Sequence, residues 1–118
     1  MKLFRTLLID DEWLIRLELR RMLKPYANIN VVGEAANLAE AVEASKELKP
    51  DLIFLDIQMP GGSGFDFLEQ VEGDFKIIFM TAYTQHFVKA GKYNPVDYLI
   101  KPIRQERLAR AMQALSSS

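Results

Sequence analysis

The sequence alternates five times between a short apolar run and a segment with helical spacing, and this alternation constrains the fold more than any other feature. The apolar runs, which predict strands, cover residues 3–9, 29–35, 51–56, 75–80 and 96–100. The segments with helical spacing cover residues 12–24, 37–49, 65–71, 84–92 and 104–115. Apolar runs without polar alternation are typical of strands buried on both faces, so the pattern indicates a parallel sheet with helices on both sides.

Right-handed crossovers between such strands produce a doubly wound α/β sandwich. We therefore expect a flavodoxin-like fold with a five-stranded parallel sheet in the order 2-1-3-4-5. The length of 118 residues suits one domain, which we assign to residues 1–115, with residues 116–118 as a disordered tail. Asn37 is expected to cap the second helix, with Glu40 completing a capping-box-like pattern.

Composition argues against several classes of site and partner. The chain has no cysteine and its single histidine is His86, which disfavours disulfides, thiolate chemistry and histidine-based zinc sites. We expect His86 to be a solvated residue on the fourth helix. A net charge of -1 gives no reason to expect nucleic-acid or membrane binding by this domain. No apolar run approaches the ~20 residues that span a bilayer, and a cytoplasmic location is expected because the N-terminus lacks signal-peptide features.

The predicted strands end in chemically active side chains. Asp10 and Asp11 follow the first strand, Asp56 ends the third, Thr81 follows the fourth and Lys101 follows the fifth. In a doubly wound sheet these ends lie at one edge, where ligands bind. A carboxylate cluster without Cys or His selects a hard cation, which is Mg²⁺, Mn²⁺ or Ca²⁺. A carboxylate nucleophile, a metal and a lysine are the groups needed to form an aspartyl phosphate, which favours Mg²⁺.

Four sequence motifs occur in order, each at the end of a predicted strand, at residues 8–12, 55–60 with Gly64, 80–82 and 97–102. They read Leu-Ile-Asp-Asp-Glu, Leu-Asp-Ile-Gln-Met-Pro, Met-Thr-Ala and Asp-Tyr-Leu-Ile-Lys-Pro. Together they extend over the whole chain and resemble the receiver domain of two-component response regulators. The sequence of the second half of the chain most resembles receivers that precede LytTR-type DNA-binding domains.

This resemblance implies a role in phosphorelay signal transduction. Asp56 would be the phosphoacceptor, and Thr81 and Lys101 would bind the phosphoryl oxygens. Thr81 and Tyr98 would form the conformational switch, and the Lys101–Pro102 bond would be cis. The domain would act as a signalling protein and not as an enzyme, apart from slow self-catalysed phosphorylation and dephosphorylation.

The resemblance also implies a Mg²⁺ site. Asp11 and Asp56 would be direct ligands, Asp10 would bind directly or through water, and Gln58 would contribute its backbone carbonyl. The side chains of Gln58 and Tyr83 would flank the path by which water reaches the phosphoryl group.

The expected partner is a histidine kinase or a phosphotransfer protein, and the fourth helix, fifth strand and fifth helix are a possible homodimer surface. Arg104, Arg107 and Arg110 recur along the last helix and form either a solvated or salt-bridged face or part of that surface. Trp13 either packs partly on the first helix or forms a wall of the phosphorylation cleft.

Three other functions are compatible with parts of the pattern. A degenerate receiver would only bind partners, and the presence of Asp11, Asp56, Thr81 and Lys101 argues against it. A Mg²⁺-dependent phosphatase with an aspartate nucleophile usually has Asp-x-Asp and a cap domain. A flavodoxin-like FMN binder needs a first loop rich in Gly, Ser and Thr, and acidic residues stand there instead. The residues 61–64 are read as a turn, because they lack the Gly-Lys-Ser/Thr ending of a P-loop.

Overall fold

Five parallel strands form the central sheet in the computed structural model, which describes residues 2–117; Met1 and Ser118 lie outside the described residues. The strands are β1 (Phe4–Ile9), β2 (Ile29–Ala35), β3 (Leu52–Asp56), β4 (Lys76–Thr81) and β5 (Asp97–Ile100). Their spatial order is β2-β1-β3-β4-β5, and every neighbouring pair is parallel. The predicted flavodoxin-like α/β fold and its strand order 2-1-3-4-5 are confirmed.

Helices cover both faces of this sheet. They are α1 (Trp13–Leu23), α2 (Leu38–Leu48), α3 (Gly64–Gln70), α4 (Phe87–Ala90) and α5 (Gln105–Ser117). Helices α1 and α5 pack on one face, and α2, α3 and α4 pack on the other. Successive strand residues point to opposite faces, so Leu8 and Phe54 belong to the first core and Leu7 and Ile53 to the second. All four are fully buried, which explains why the strands read as continuous apolar runs.

The start of α2 follows the predicted capping pattern. Asn37 is the N-cap residue, and its side-chain oxygen accepts a hydrogen bond of 2.9 Å from the Glu40 backbone amide. The Glu40 carboxylate reaches back and accepts a hydrogen bond of 2.8 Å from the Ala36 amide. Local sequence therefore sets where this helix begins.

The fourth helix differs from its prediction as one helix over residues 84–92. Only Phe87–Ala90 is α-helical, and the 3₁₀ turns Thr84–His86 and Gly91–Tyr93 flank it. Gly91 and the β-branched Val88 both lower helix propensity. Asn94 ends the segment in the left-handed region at φ 51°. The chain between β4 and β5 therefore contains only one turn of α-helix.

The last helix is longer than predicted. Helix α5 extends to Ser117, and the hydroxyls of Ser116 and Ser117 donate hydrogen bonds to the carbonyls of Met112 and Gln113. The helix predicted to end at residue 115 therefore continues for two more residues, which the prediction had placed in the tail. None of the helices within residues 2–117 is long and apolar enough to cross a membrane.

Candidate functional site

Three carboxylates meet at the carboxyl edge of the sheet, where the sequence predicts a metal site. Strands β1 and β3 pair in register up to Ile9 and Leu55, so the next residues, Asp10 and Asp56, lie side by side. Carboxylate oxygens of Asp10, Asp11 and Asp56 all lie within 4.8 Å of one another. Asp10 and Asp56 are buried, whereas Asp11 is exposed. The cluster therefore consists of two buried acids and one acid that is exposed to solvent.

Lys101 provides the positive charge of this cluster. Its Nζ lies 2.5 Å from Asp10 Oδ2 and 3.2 Å from Asp56 Oδ2. Its backbone amide donates a hydrogen bond of 2.9 Å to the Thr81 carbonyl, which holds the end of β5 against the end of β4. The Lys101–Pro102 peptide bond is cis, as the sequence resemblance implied. One ammonium thus bridges the two buried acids.

One ammonium does not fully compensate two buried carboxylates. Burial raises the pKa of Asp56 to about 7, and the negative charge of Asp10 adds to this, while Lys101 opposes it. Burial would lower the pKa of Lys101, but its hydrogen bond to Asp10 and the charge of Asp56 raise it. The pair of acids therefore holds an excess of negative charge that a second cation would relieve.

The free lone pairs of the buried acids fit a small cation. The Glu12 amide donates to Asp10 Oδ1 at 2.9 Å, and the Gln58 amide donates to Asp56 Oδ1 at 3.3 Å. Asp10 Oδ2 has Lys101 as its ion-pair partner but no donor in hydrogen-bonding geometry within residues 2–117. Clustered carboxylate oxygens with unused lone pairs are the ligand set that a hard divalent cation prefers.

The loop after β3 is held in place by several hydrogen-bonded contacts. Residues Gln58–Met59 pair antiparallel with Gly62–Ser63, and Ser63 forms a capping box with Asp66 at the start of α3. The Gly64 amide donates to the Ile57 carbonyl at 2.8 Å. This loop carries Gln58, whose carbonyl remains a predicted metal ligand.

Gly64 allows α3 to begin directly against Asp56. A Cβ at position 64 would lie only 2.6 Å from the Asp56 backbone oxygen, so any other residue would push the helix and the acid apart. The glycine in the second motif is therefore explained by close packing rather than by phosphate binding.

Thr81 lies at the same edge, and its hydroxyl contacts residues of the loop after β4. It is 2 % exposed, and its Oγ1 accepts a hydrogen bond of 3.1 Å from the Tyr83 amide. Its Oγ1 also lies 3.1 Å from His86 Nδ1. His86 is half-buried in the 84–86 turn, so its prediction as a solvated residue on a helix is wrong. No local signal in the sequence identified this contact, because it depends on the 3₁₀ turn.

Tyr98 and Trp13 have clear but different positions. The Tyr98 ring is half-buried, stacked on Phe79 with ring centres 6.3 Å apart and tilted against Phe87 at 4.7 Å. Trp13 is 67 % exposed two residues after Asp11, so it packs little on its own helix. The structure thus places Tyr98 against α4 and leaves Trp13 exposed at the start of α1.

Comparison with known protein families agrees with this geometry. Residues 6–113 match the family model described as the response regulator receiver domain. The chain belongs to this family. Its receiver fold aligns with the crystal structure of the response regulator domain of Thermotoga maritima CheB with a TM-score of 0.83 and 28% identity, over 98% of each chain.

Two relatives are similar over nearly the whole receiver. An uncharacterized response regulatory protein of Vibrio cholerae is 43% identical over 112 residues, which are 93% of this chain and 47% of that protein. The transcriptional regulatory protein BtsR of Salmonella typhi is 39% identical over 115 residues, which are 96% of this chain and 48% of that protein. The chain thus spans about half the length of the curated relatives it matches.

The buried acids predict an unusual pH dependence of stability without metal. The unfolded chain releases the Asp56 proton near pH 3.8, whereas the folded domain keeps it to about pH 7. The folded state binds more protons between these values, so the free energy of unfolding should fall as pH rises through this window. Three pKa units at roughly 1.4 kcal/mol each give a loss of at most about 4 kcal/mol.

Urea denaturation in the presence of a chelator measures this effect. Asp56→Asn should be more stable than the wild type near pH 7 and similar to it near pH 4. Asp74→Asn removes an exposed loop carboxylate and should follow the wild-type profile. A wild-type stability that does not fall between these pH values would contradict the electrostatic description of the site.

Proposed function

We propose that this receiver accepts a phosphoryl group on Asp56 from a histidine kinase or a phosphotransfer protein, with Mg²⁺ bound by Asp10, Asp11, Asp56 and the Gln58 carbonyl. The observation that supports this most strongly is the gathering of three carboxylates within 4.8 Å, next to one lysine ammonium. A site with a nucleophile, a cation site and a fixed ammonium suits phosphoryl transfer better than binding alone.

The chemistry assigns one task to each residue. A carboxylate oxygen of Asp56 attacks phosphorus, and the bond from phosphorus to the donor's nitrogen or oxygen breaks as the donor leaves. Mg²⁺ would neutralise charge on the phosphoryl oxygens when it is bound. Lys101 already contacts Asp56 and is placed to pair with a phosphoryl oxygen. Because burial and Asp10 raise the pKa of Asp56, added positive charge is needed to keep the nucleophile ionised at neutral pH.

The names and lengths of the relatives support a proposal for the output of the switch. BtsR carries the name of a transcriptional regulatory protein, and this receiver corresponds to about half of its length. We propose that the domain works within a longer regulator and controls a DNA-binding segment of the LytTR type.

Phosphorylation can be tested with a small-molecule donor. Acetyl phosphate with Mg²⁺ should add one phosphoryl group, visible in the intact mass. Asp56→Asn should stay unmodified because its amide is a poor nucleophile, whereas Asp74→Asn should be labelled like the wild type. Labelling of Asp56→Asn at the wild-type rate would move the acceptor elsewhere, and an unlabelled wild type would favour a degenerate receiver.

Metal binding should appear as added stability. A ligand that binds only the folded state stabilises it by about 2.7 kcal/mol at a hundredfold excess over its Kd. Mg²⁺ should therefore raise the melting temperature of the wild type, and Asp11→Asn should lose most of the gain. Asp11 is exposed, so this substitution should leave the fold intact. A melting temperature that ignores millimolar Mg²⁺ would rule out the metal site.

A self-association surface on α4, β5 and α5 is also proposed. Val88 is 89 % exposed on α4, and Ile100 is 46 % exposed at the end of β5. Asp97 and Arg107 already form an ion pair within one molecule, at 2.6 and 2.8 Å, which lowers the Asp97 pKa against its burial. Contacts between copies would therefore use the apolar residues together with Arg104 and Arg110, rather than Asp97.

Sedimentation velocity tests this surface. Beryllofluoride with Mg²⁺ mimics the phosphoryl group and should increase self-association of the wild type. Val88→Lys should suppress the increase through charge repulsion without affecting phosphorylation, because Val88 lies outside the acidic cluster. Identical profiles with and without beryllofluoride would exclude a homodimer as the output.

A further inference from the structure

The contact between Thr81 and His86 joins the end of β4 to the turn that begins α4. Thr81 Oγ1 and His86 Nδ1 are 3.1 Å apart, and the threonine is almost fully buried. The Tyr83 amide already donates to the same oxygen. Thr81 has a single hydroxyl proton, and the pyridine-like nitrogen of a neutral imidazole is a good acceptor for it.

We propose that His86 is a positioning residue that restrains Thr81 in the unphosphorylated domain, with Nδ1 accepting the Thr81 hydroxyl proton. This inference rests on the proposed function, in which Thr81 donates a hydrogen bond to the phosphoryl group. The hydroxyl has one proton, and two acceptors compete for it. These are His86 in the resting domain and the phosphoryl group after transfer. Phosphorylation therefore breaks the Thr81–His86 bond.

Breaking this bond releases the start of α4. Within the described residues, the 84–86 turn is further held by backbone bonds of its own, from His86 to Tyr83 and from Phe87 to Thr84. The Thr81 hydroxyl links this turn to the buried edge of the sheet. Loss of that link frees the segment that carries Tyr83 and leads into the exposed residue Val88.

The restraint has a measurable size and a defined direction. A typical protein hydrogen bond changes the ratio between the state that contains it and the state that lacks it by a factor of roughly 2 to 12. Removing the acceptor should therefore raise the apparent affinity for beryllofluoride by about that factor. It should leave the affinity for Mg²⁺ alone unchanged, since His86 is not one of the clustered acids.

Two substitutions at His86 separate the effect of the hydrogen bond from the effect of the ring's packing. His86→Phe keeps a ring against Tyr83, whose centre is 5.9 Å away, but has no acceptor. His86→Asn places an oxygen where Nδ1 stood and loses the ring. Beryllofluoride affinity, measured in the presence of Mg²⁺ through the fluorescence of the single tryptophan, should rise in His86→Phe and stay within about twofold of the wild type in His86→Asn.

A double-mutant cycle ties the effect to Thr81. In a Thr81→Ala background, His86→Phe should no longer change the affinity, because the hydroxyl is already absent. His86→Phe with wild-type or weaker affinity at unchanged melting temperature would overturn the restraint, and so would equal gains in His86→Phe and His86→Asn. A wild type that binds no beryllofluoride would instead contradict the proposed function.

Nuclear magnetic resonance gives a test that needs no substitution. The chain has one histidine, so in untagged protein its ring signals require no assignment. The ring nitrogens should show Nδ1 as a hydrogen-bond acceptor at rest, and beryllofluoride with Mg²⁺ should shift that signal as the bond breaks. A protonated Nδ1 in the resting protein, or a signal that does not change on saturation with beryllofluoride, would overturn the proposal.

Discussion

The whole site depends on one ammonium held between two buried carboxylates. Lys101 contacts both Asp10 and Asp56 at the edge of a sheet whose interior is apolar. Charges in such surroundings interact strongly because little water screens them. The single lysine leaves an excess of negative charge, which raises the pKa of Asp56 and makes the edge receptive to further cations.

Most of the architecture could be predicted because it depends on local patterns. The strand predicted over residues 29–35 agrees with β2 residue for residue, and the Asn37 cap starts α2 where expected. The proximity of the acids and Lys101 could be predicted because the ends of parallel strands lie at one edge of the sheet. These features need only the periodicity of the sequence and the topology of a doubly wound sheet.

The features that could not be predicted depend on tertiary contacts. The position of His86 is set by a 3₁₀ turn in a segment whose periodicity suggested a continuous helix. The spacing of the arginines allowed a salt bridge for Arg107, but its partners, Asp97 and the Tyr98 carbonyl, are set only once α5 packs on β5. Likewise, the half-buried ring of Tyr98 reflects the aromatic neighbours that the fold assembles around it. Sequence spacing alone contains none of these distances.

The two loops that border the acidic cluster differ in the contacts that hold them in place. The loop after β3 is braced by a short antiparallel pairing, a capping box and the close contact of Gly64 with Asp56. The loop after β4 leads into one turn of α-helix between two 3₁₀ turns, and its start is held to the sheet by the contacts of Tyr83 and His86 with the Thr81 hydroxyl. The loop after β3 therefore has more local contacts to hold it in place than the start of the loop after β4. If Asp56 is phosphorylated as proposed, we expect the resulting displacement to pass toward α4, while the loop after β3 keeps its position.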